Sequence, residues 1–267
     1  MARVVVVAWL AGIALAGAPQ ASWQAPVPEP LASVWYRGSP DGAPLQDDLA
    51  AIRAFGFSAV TWPRERTEHL DEVRRQASVV GLHVVEGWPG RRLTPLTALR
   101  PAHTVDVPVV DTPPGAAAIA WRALVHGARV VSFDAGDAVG AGLLDEAGQP
   151  RPWVRPAADV ARHLAFNGSM LLDLVPGPDV TTLPPRPAGL DIVLLQSDRL
   201  WVLVATNTST ESAHAVAELP PGLPPALWVD LLDGTEMSML NRQRGPQWTF
   251  DLPPGGARLY AIDKPSR

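Results

Sequence analysis

The sequence predicts an α/β protein, a reduced or incomplete (β/α) barrel followed by a small antiparallel β-sandwich. Three observations carry this expectation. The segments AFGFSAVTW, VVGLHVVEG and VHGARVVSF share one layout: a helix end, a glycine, then a strand. Such alternation implies parallel strands joined by right-handed crossovers. Beyond the proline-rich stretch Val175–Pro187, which contains PGP and PPRP, the pattern changes to short strands separated by turn signals. An α/β pattern followed by an all-β one implies two domains. Before that stretch only five strands are legible, whereas a closed barrel needs eight. The expected division is a signal peptide over 1–22, a linker over 23–32, a barrel-like domain over 33–187 and a β-sandwich over 188–263.

Structure is expected to begin at Ser33–Tyr36, a strand by its β-branched and aromatic content. Pro44–Phe55 is an amphipathic helix with Leu45, Leu49, Ile52 and Phe55 on one face. Gly56 stops it, and Phe57–Trp62 is the second strand, closed by Pro63. Thr67 is placed to cap a helix running to Val80, with Leu70, Val73 and Ala77 inward. Gly81 ends that helix and Leu82–Glu86 is the third strand. Val105–Val110 is a fourth, which Pro108 marks as short or at an edge. Asp111-Thr112-Pro113-Pro114 opens a helix carrying Ile119 and Leu124, Gly127 ends it, and Ala128–Phe133 is the fifth strand. Pro156–Leu174 is a long helix buried through Val160, Leu164, Met170 and Leu171, with Gly168 as a point of bending. Sandwich strands are expected over Asp191–Gln196, Arg199–Thr206, Ala213–Leu219, Leu227–Leu232, Trp248–Leu252 and Arg258–Ile262. Asn207-Thr208-Ser209, Pro220-Pro221-Gly222 and Asp233-Gly234 supply the turns between them.

Composition narrows the function classes. A chain of 267 residues with 47% hydrophobic and 18% charged residues is globular. Its net charge of −5 is spread without a basic block, which argues against nucleic acid as a partner. With no cysteine, disulfides, thiolate chemistry and cysteine-bound metals are excluded. Arg3 precedes the uncharged run Val4–Ala18, and Ala16-Gly17-Ala18 offers a small-x-small cleavage site. That suits a secretory signal peptide, so the protein is expected to be secreted or periplasmic. The run falls short of the ~20 residues of a membrane helix, so no stable span is expected after cleavage; an uncleaved anchor is the alternative.

Trp35, Trp62 and Trp88 end or follow the first three strands, and Phe133 ends the fifth. In a parallel α/β barrel those strand ends open on one face. Aromatic rings there suit sugar binding, because pyranose C–H faces pack on ring faces while polar neighbours such as Arg37 take the hydroxyls. The same tryptophans would also serve simply to cap a core. Glycoside hydrolysis needs two carboxylates flanking the scissile bond, and Glu86, Asp111, Asp134 and Asp137 all follow strand ends. Glu86 is the acid/base candidate, since an apolar strand and a nearby Trp88 raise a carboxyl pKa. Asp134 is its candidate partner, and Asp137 a substrate contact. Asp111 equally reads as a helix cap, and Asp134 and Asp137 as Asx turns. The six histidines lack metal-ligand spacing, and no G-x-S-x-G, P-loop or G-x-G-x-x-G motif occurs. No cofactor or metal is expected.

Three stretches carry a family resemblance: PLQDDLAAIRAFGFSAVTW; AWRALVHGARVVSFDAGDAVGAGLLDEAGQP; and RLWVLVATNTST with LWVDLLDGTE and DLPPGGARLYAID. Together they resemble secreted bacterial glycoside hydrolases of the β-galactosidase type, with a TIM-barrel catalytic domain and a C-terminal β-sandwich. The resemblance implies a carbohydrate ligand and hydrolysis of O-glycosyl bonds. The family's Asn-Glu pair after strand four has no counterpart, because no Asn-Glu dipeptide occurs, and no catalytic residue transfers by motif. The expectation is an exported glycoside-hydrolase-like protein that acts on or binds carbohydrate at the strand ends. Glu86 and Asp134 would be its carboxylates, with Trp35, Arg37, Trp62, Trp88 and Asp137 contacting the sugar. The alternative is a non-catalytic glycan-binding or scaffold protein, a pseudoenzyme that has lost strands. A third reading is an assembly module whose open sheet edge another subunit covers, so an oligomer is compatible with the sequence.

Overall fold

The computed structural model describes residues 31–40, 42–87, 104–108, 115–136, 140–223, 227–238, 240–242 and 245–264. The expected signal peptide, Trp88, Asp111 and Asp137 lie outside the described residues. The first layer holds the strands β1 (Leu31–Trp35), β2 (Ala59–Pro63), β3 (His83–Gly87), β4 (Thr104–Pro108) and β5 (Val130–Asp134). β1 begins inside the expected linker, at Leu31. All pairings are parallel, in the order β3-β2-β1-β5-β4. β4 sits at an edge, as Pro108 indicates.

This order answers the barrel expectation. Among the described residues β3 and β4 do not pair, so the sheet is open rather than a closed barrel. Read from β4 through β5, β1 and β2 to β3, it is the order left when the middle three strands are removed from an eight-stranded barrel. The helices α1 (Gly42–Ala54), α2 (Leu70–Val79), α3 (Ala116–Val125) and α4 (Val154–Leu172) share one core with one face of the sheet. Leu45, Leu49 and Ile52 of α1, Val73 and Ala77 of α2, Ala120 and Ala123 of α3 and Val160 and Leu164 of α4 pack with Val34, Val60, Val131 and Phe133. Gly56, Gly81 and Gly127 leave the helices at φ of 94°, 73° and 100°, a conformation in which a Cβ is costly. Two local expectations change. Thr67 lies in a 3-10 turn, and α2 starts at Leu70 without a side-chain cap. α4 runs unbroken through Gly168; the glycine costs about 1 kcal/mol of helix propensity, which the buried face outweighs.

The rest of the chain is antiparallel. β6 (Val175–Pro176) and β7 (Thr181–Thr182) come from the proline-rich stretch and join one sheet each. Then follow β8 (Leu190–Gln196), β9 (Leu200–Asn207), β10 (Ala213–Glu218), β11 (Leu227–Asp230), β12 (Glu236–Ser238), β13 (Leu240–Arg242), β14 (Gly245–Leu252) and β15 (Ala257–Asp263). The sheets are six-stranded, β12-β11-β15-β9-β8-β6, and four-stranded, β13-β14-β10-β7. Leu194, Leu203, Ala215, Trp228, Trp248, Phe250 and Tyr260 fill the space between them. The opposite face of the six-stranded sheet gives Leu195, Val202, Val204, Leu259 and Ala261 to the helix core. β9 alternates between the two cores with the period of a strand.

β12 and β13 were not legible, because EMSMLNR does not alternate. β12 pairs with β11 across the Asp233 turn, where Thr235 N–H donates to Asp233 Oδ1 at 2.9 Å, and β13 pairs with β14. Hydrogen bonds from Thr235 and from Arg258 pull the Asp233 carboxyl down to about 2. Asn207 of the Asn207-Thr208-Ser209 turn is fully buried. Its amide donates to the carbonyls of Glu211, Leu252 and Pro253 at 2.7, 3.3 and 3.1 Å, so it closes a turn. No helix among the described residues is long and apolar enough to cross a membrane.

Candidate functional site

The sheet face away from the helices is built in layers. Leu31, Ala59 and Val130 form an apolar cluster at the strand starts. Above it Ser33, Thr61 and Ser132 are fully buried. Ser132 Oγ donates to Thr61 Oγ1 at 2.6 Å, Ser33 Oγ lies 2.7 Å from Thr61 Oγ1, and Ser33 Oγ reaches the Val131 carbonyl at 3.4 Å. Three fully buried hydroxyls thus satisfy one another. The sequence carries a signal for this layer. SVW, TWP and SFD each place a hydroxyl two residues before the strand end, hence on the same face.

The next layer is the strand ends. Trp35 is 2% exposed. Its ring lies across Thr61 to Gly87, where an added Cβ would stand 2.5 Å from the Thr61 methyl and 2.7 Å from the ring. Arg37 lies over Trp35 at 5.2 Å from the ring centroid. Its guanidinium also forks onto Asp134, Nη1 to Oδ1 and Nη2 to Oδ2, the latter at 3.0 Å. Such bidentate charged pairs are strong and directional. Asp134 closes an Asx turn as well, accepting the Gly136 N–H at 2.9 Å. The Arg37 N–H donates to the Gly140 carbonyl at 2.9 Å, which ties the loop after β1 to the loop after β5. The Arg37 and Asp134 side chains remain 30% and 24% exposed. Trp35 therefore supports Arg37, and the pair presents the polar surface.

Glu86 and Trp62 belong to the other face. Glu86 follows Val84 and Val85, of which Val84 packs with the helices and Val85 with the opposite cluster. Strand alternation turns Glu86 to the helices, where Arg74 of α2 donates to its Oε1 at 3.1 Å. Arg74 also holds Asp71 at 3.0 Å. Trp62 is fully buried in the helix core. It stacks on Tyr36 at 5.9 Å, donates from Nε1 to the Arg66 carbonyl at 2.9 Å, and carries the Arg66 guanidinium 4.6 Å over its ring. Beside it, burial and the nearby Asp48 push the Tyr36 hydroxyl pKa up. Burial also raises Asp48, against a hydrogen bond with Tyr36 that lowers it and with Asp47 adding to the rise.

The structure thus brings together Trp35, Arg37 and Asp134, and leaves Trp62 and Glu86 on the opposite face. Glu86 is on β3 and Asp134 on β5, three strand spacings apart, or about 14 Å along the sheet. Hydrolysing pairs stand roughly 5–9.5 Å apart. Arg66 and Arg74, which hold Trp62 and Glu86, left no sequence signal, Arg66 because it lies in the turn before the helix and Arg74 because the helix pattern reports only its apolar face.

The opposite end of the sheet has its own polar cluster. His126 caps the end of α3, with Nε2 2.7 Å from Asp191 Oδ2 on β8, and Arg122 Nε stands 3.3 Å from the same oxygen. Burial alone would raise Asp191; the hydrogen bond and charge of His126, then Arg122 and Arg186, outweigh it and hold the carboxyl below its ordinary range. Among the described residues no three His, Asp or Glu side chains gather as metal ligands.

No protein-family profile matches the chain, and no curated protein is similar to it in sequence. Solved structures are similar in fold. The noncanonic maltogenic α-amylase AmyB from Thermotoga neapolitana superposes with a TM-score of 0.50 at 7% identity, over 87% of this chain and 98% of that one. An Anoxybacillus α-amylase gives 0.46 at 10% identity, over 83% of this chain and 63% of that one. The α-amylase of Geobacillus thermoleovorans gives 0.45 at 12%, over 83% and 63%. The chain spans less than two thirds of the length of the last two. The fold is glycoside-hydrolase-like, and at these identities the likeness is one of fold alone.

Proposed function

We propose that this is an exported carbohydrate-binding protein with a glycoside-hydrolase-like fold, in which the Arg37–Asp134 pair takes the sugar hydroxyls and hydrolysis has been lost. One observation carries the reading: the two candidate carboxylates lie on opposite faces of the sheet, each held by its own arginine. A fork of guanidinium and carboxylate offers donors and acceptors in one plane, which matches adjacent sugar hydroxyls. The β-galactosidase-like motifs support carbohydrate as the ligand class. The export half of the reading rests on Arg3 and the run Val4–Ala18, and fractionation of expressing cells tests it.

Glycan-array binding, followed by titration calorimetry on the best ligand, tests the sugar site. Arg37→Ala and Asp134→Asn are expected to weaken binding by about tenfold or more, and Glu86→Gln to leave it unchanged. A panel of chromogenic glycosides is expected to show no turnover. Turnover that Glu86→Gln removes would overturn the non-catalytic reading and restore Glu86 as acid/base.

A further inference from the structure

A cavity of about 680 Å³ opens at the strand starts, within the ~300–1,000 Å³ range of small-molecule sites. Three elements build its apolar wall: Leu124 and Val125 end α3, Leu171 and Leu174 surround the end of α4, and Val193 and Leu195 come from the face of β8 that packs on the helices. Three ionisable side chains also line it, His126, Arg129 and Asp179. His126 is engaged by Asp191 at 2.7 Å. Arg129 is half-buried and forms no ion pair among the described residues. Behind the wall Arg122 and Arg186 act on Asp191, so three arginines face two carboxylates, Asp179 and Asp191. A guanidinium without an ion pair among the described residues calls for one negative charge, and the aliphatic wall calls for a hydrocarbon body.

We propose that this cavity binds a small hydrophobic carboxylic acid, its chain against Leu124, Leu171, Leu174 and Val193 and its carboxylate on Arg129. The site is independent of the sugar contact: Arg129 and Asp134 bracket β5, about 16 Å apart along the strand. Asp179, exposed on the rim, is a like charge that weakens the acid's hold.

Titration calorimetry of the full chain with octanoate and with 1-octanol at pH 7 tests the proposal. Octanoate is expected to bind about tenfold tighter than octanol, the weight of a charge-assisted bond. Arg129→Gln is expected to erase that preference and leave octanol binding unchanged, and Asp179→Asn to tighten octanoate. Absence of octanoate binding, equal affinity for both probes, or a preference that survives Arg129→Gln overturns the proposal. Should Arg129→Gln fail to fold by circular dichroism, Val175→Trp decides. Val175 is 55% exposed on the rim, so the indole fills the mouth without disturbing the core. Loss of octanoate binding in that variant supports the site, and unchanged binding rejects it. Arg37→Ala, which impairs the sugar contact, is expected to leave octanoate untouched.

Discussion

The two ends of the parallel sheet are finished in opposite ways. At the strand ends side chains close on one another: Trp62 on Tyr36, Arg37 on Trp35 and Asp134. At the strand starts, where α3 and α4 finish, packing leaves a cavity of about 680 Å³. Each end also places a carboxyl in partial burial, and the two shift in opposite directions. Asp48 is raised, chiefly by burial, while at Asp191 His126 and two arginines overcome the same burial. Burial sets only one side of the balance; the number of cations within reach decides the sign.

That contrast can be broken most directly by removing packing at each end. Trp62→Ala is expected to cost about 3–5 kcal/mol in urea unfolding. Leu174→Ala, half-buried on the cavity wall, is expected to cost no more than about 1–2 kcal/mol. Equal losses would mean that the ends do not differ in packing.

The next effect is polar. Thr61→Val cuts the hydroxyl chain in its middle and leaves Ser33 and Ser132 short of a partner, for an expected loss of about 1–3 kcal/mol. Asp191→Ala is expected to cost a similar ~1–3 kcal/mol at pH 7. The Asp191 carboxyl is lowered on folding, so its contribution is present above the unfolded value near ~3.9 and is lost as pH falls through the folded pKa. The Asp191→Ala deficit is therefore expected to vanish on acidification below that window. His163, pushed down chiefly by burial, adds acid lability of the same sign, beginning as pH drops below about 6.5.

The smallest effect has the reverse sign. Asp48 is raised on folding, so its favourable contribution is present below the ordinary carboxyl value and is lost as pH rises through the folded pKa. Asp48→Asn is expected to stabilise the protein slightly at pH 7 and to lose that advantage in acid. Thermal melts of both aspartate variants from pH 3 to pH 8 should diverge at neutrality and converge at the acid end. Parallel curves would remove the contrast.

What the sequence revealed follows from what repeats in it. Strand and helix positions were legible because helix–glycine–strand recurs, and Pro108 marked an edge that the topology confirms. The open sheet was legible as a shortage of strands, but not the order in which they pair, which depends on contacts between distant segments. At the site, Arg37 and Asp134 were named from their place after strands, and they meet. Trp62 and Glu86 were named by the same rule and face the helices, because each lies one residue out of phase with the Ser33–Trp35 side of the pleat. Position along a strand locates the end; residue parity decides the face.

The six-stranded sheet has one more implication. β8, β9 and β15 send alternate side chains into the helix core and into the sandwich core. Melting either core strips one side of the same strands, so the two cannot lose structure separately. Calorimetry should record one endotherm for the whole chain, and a cut near residues 187–188 should yield fragments that aggregate apart and recover structure only when mixed.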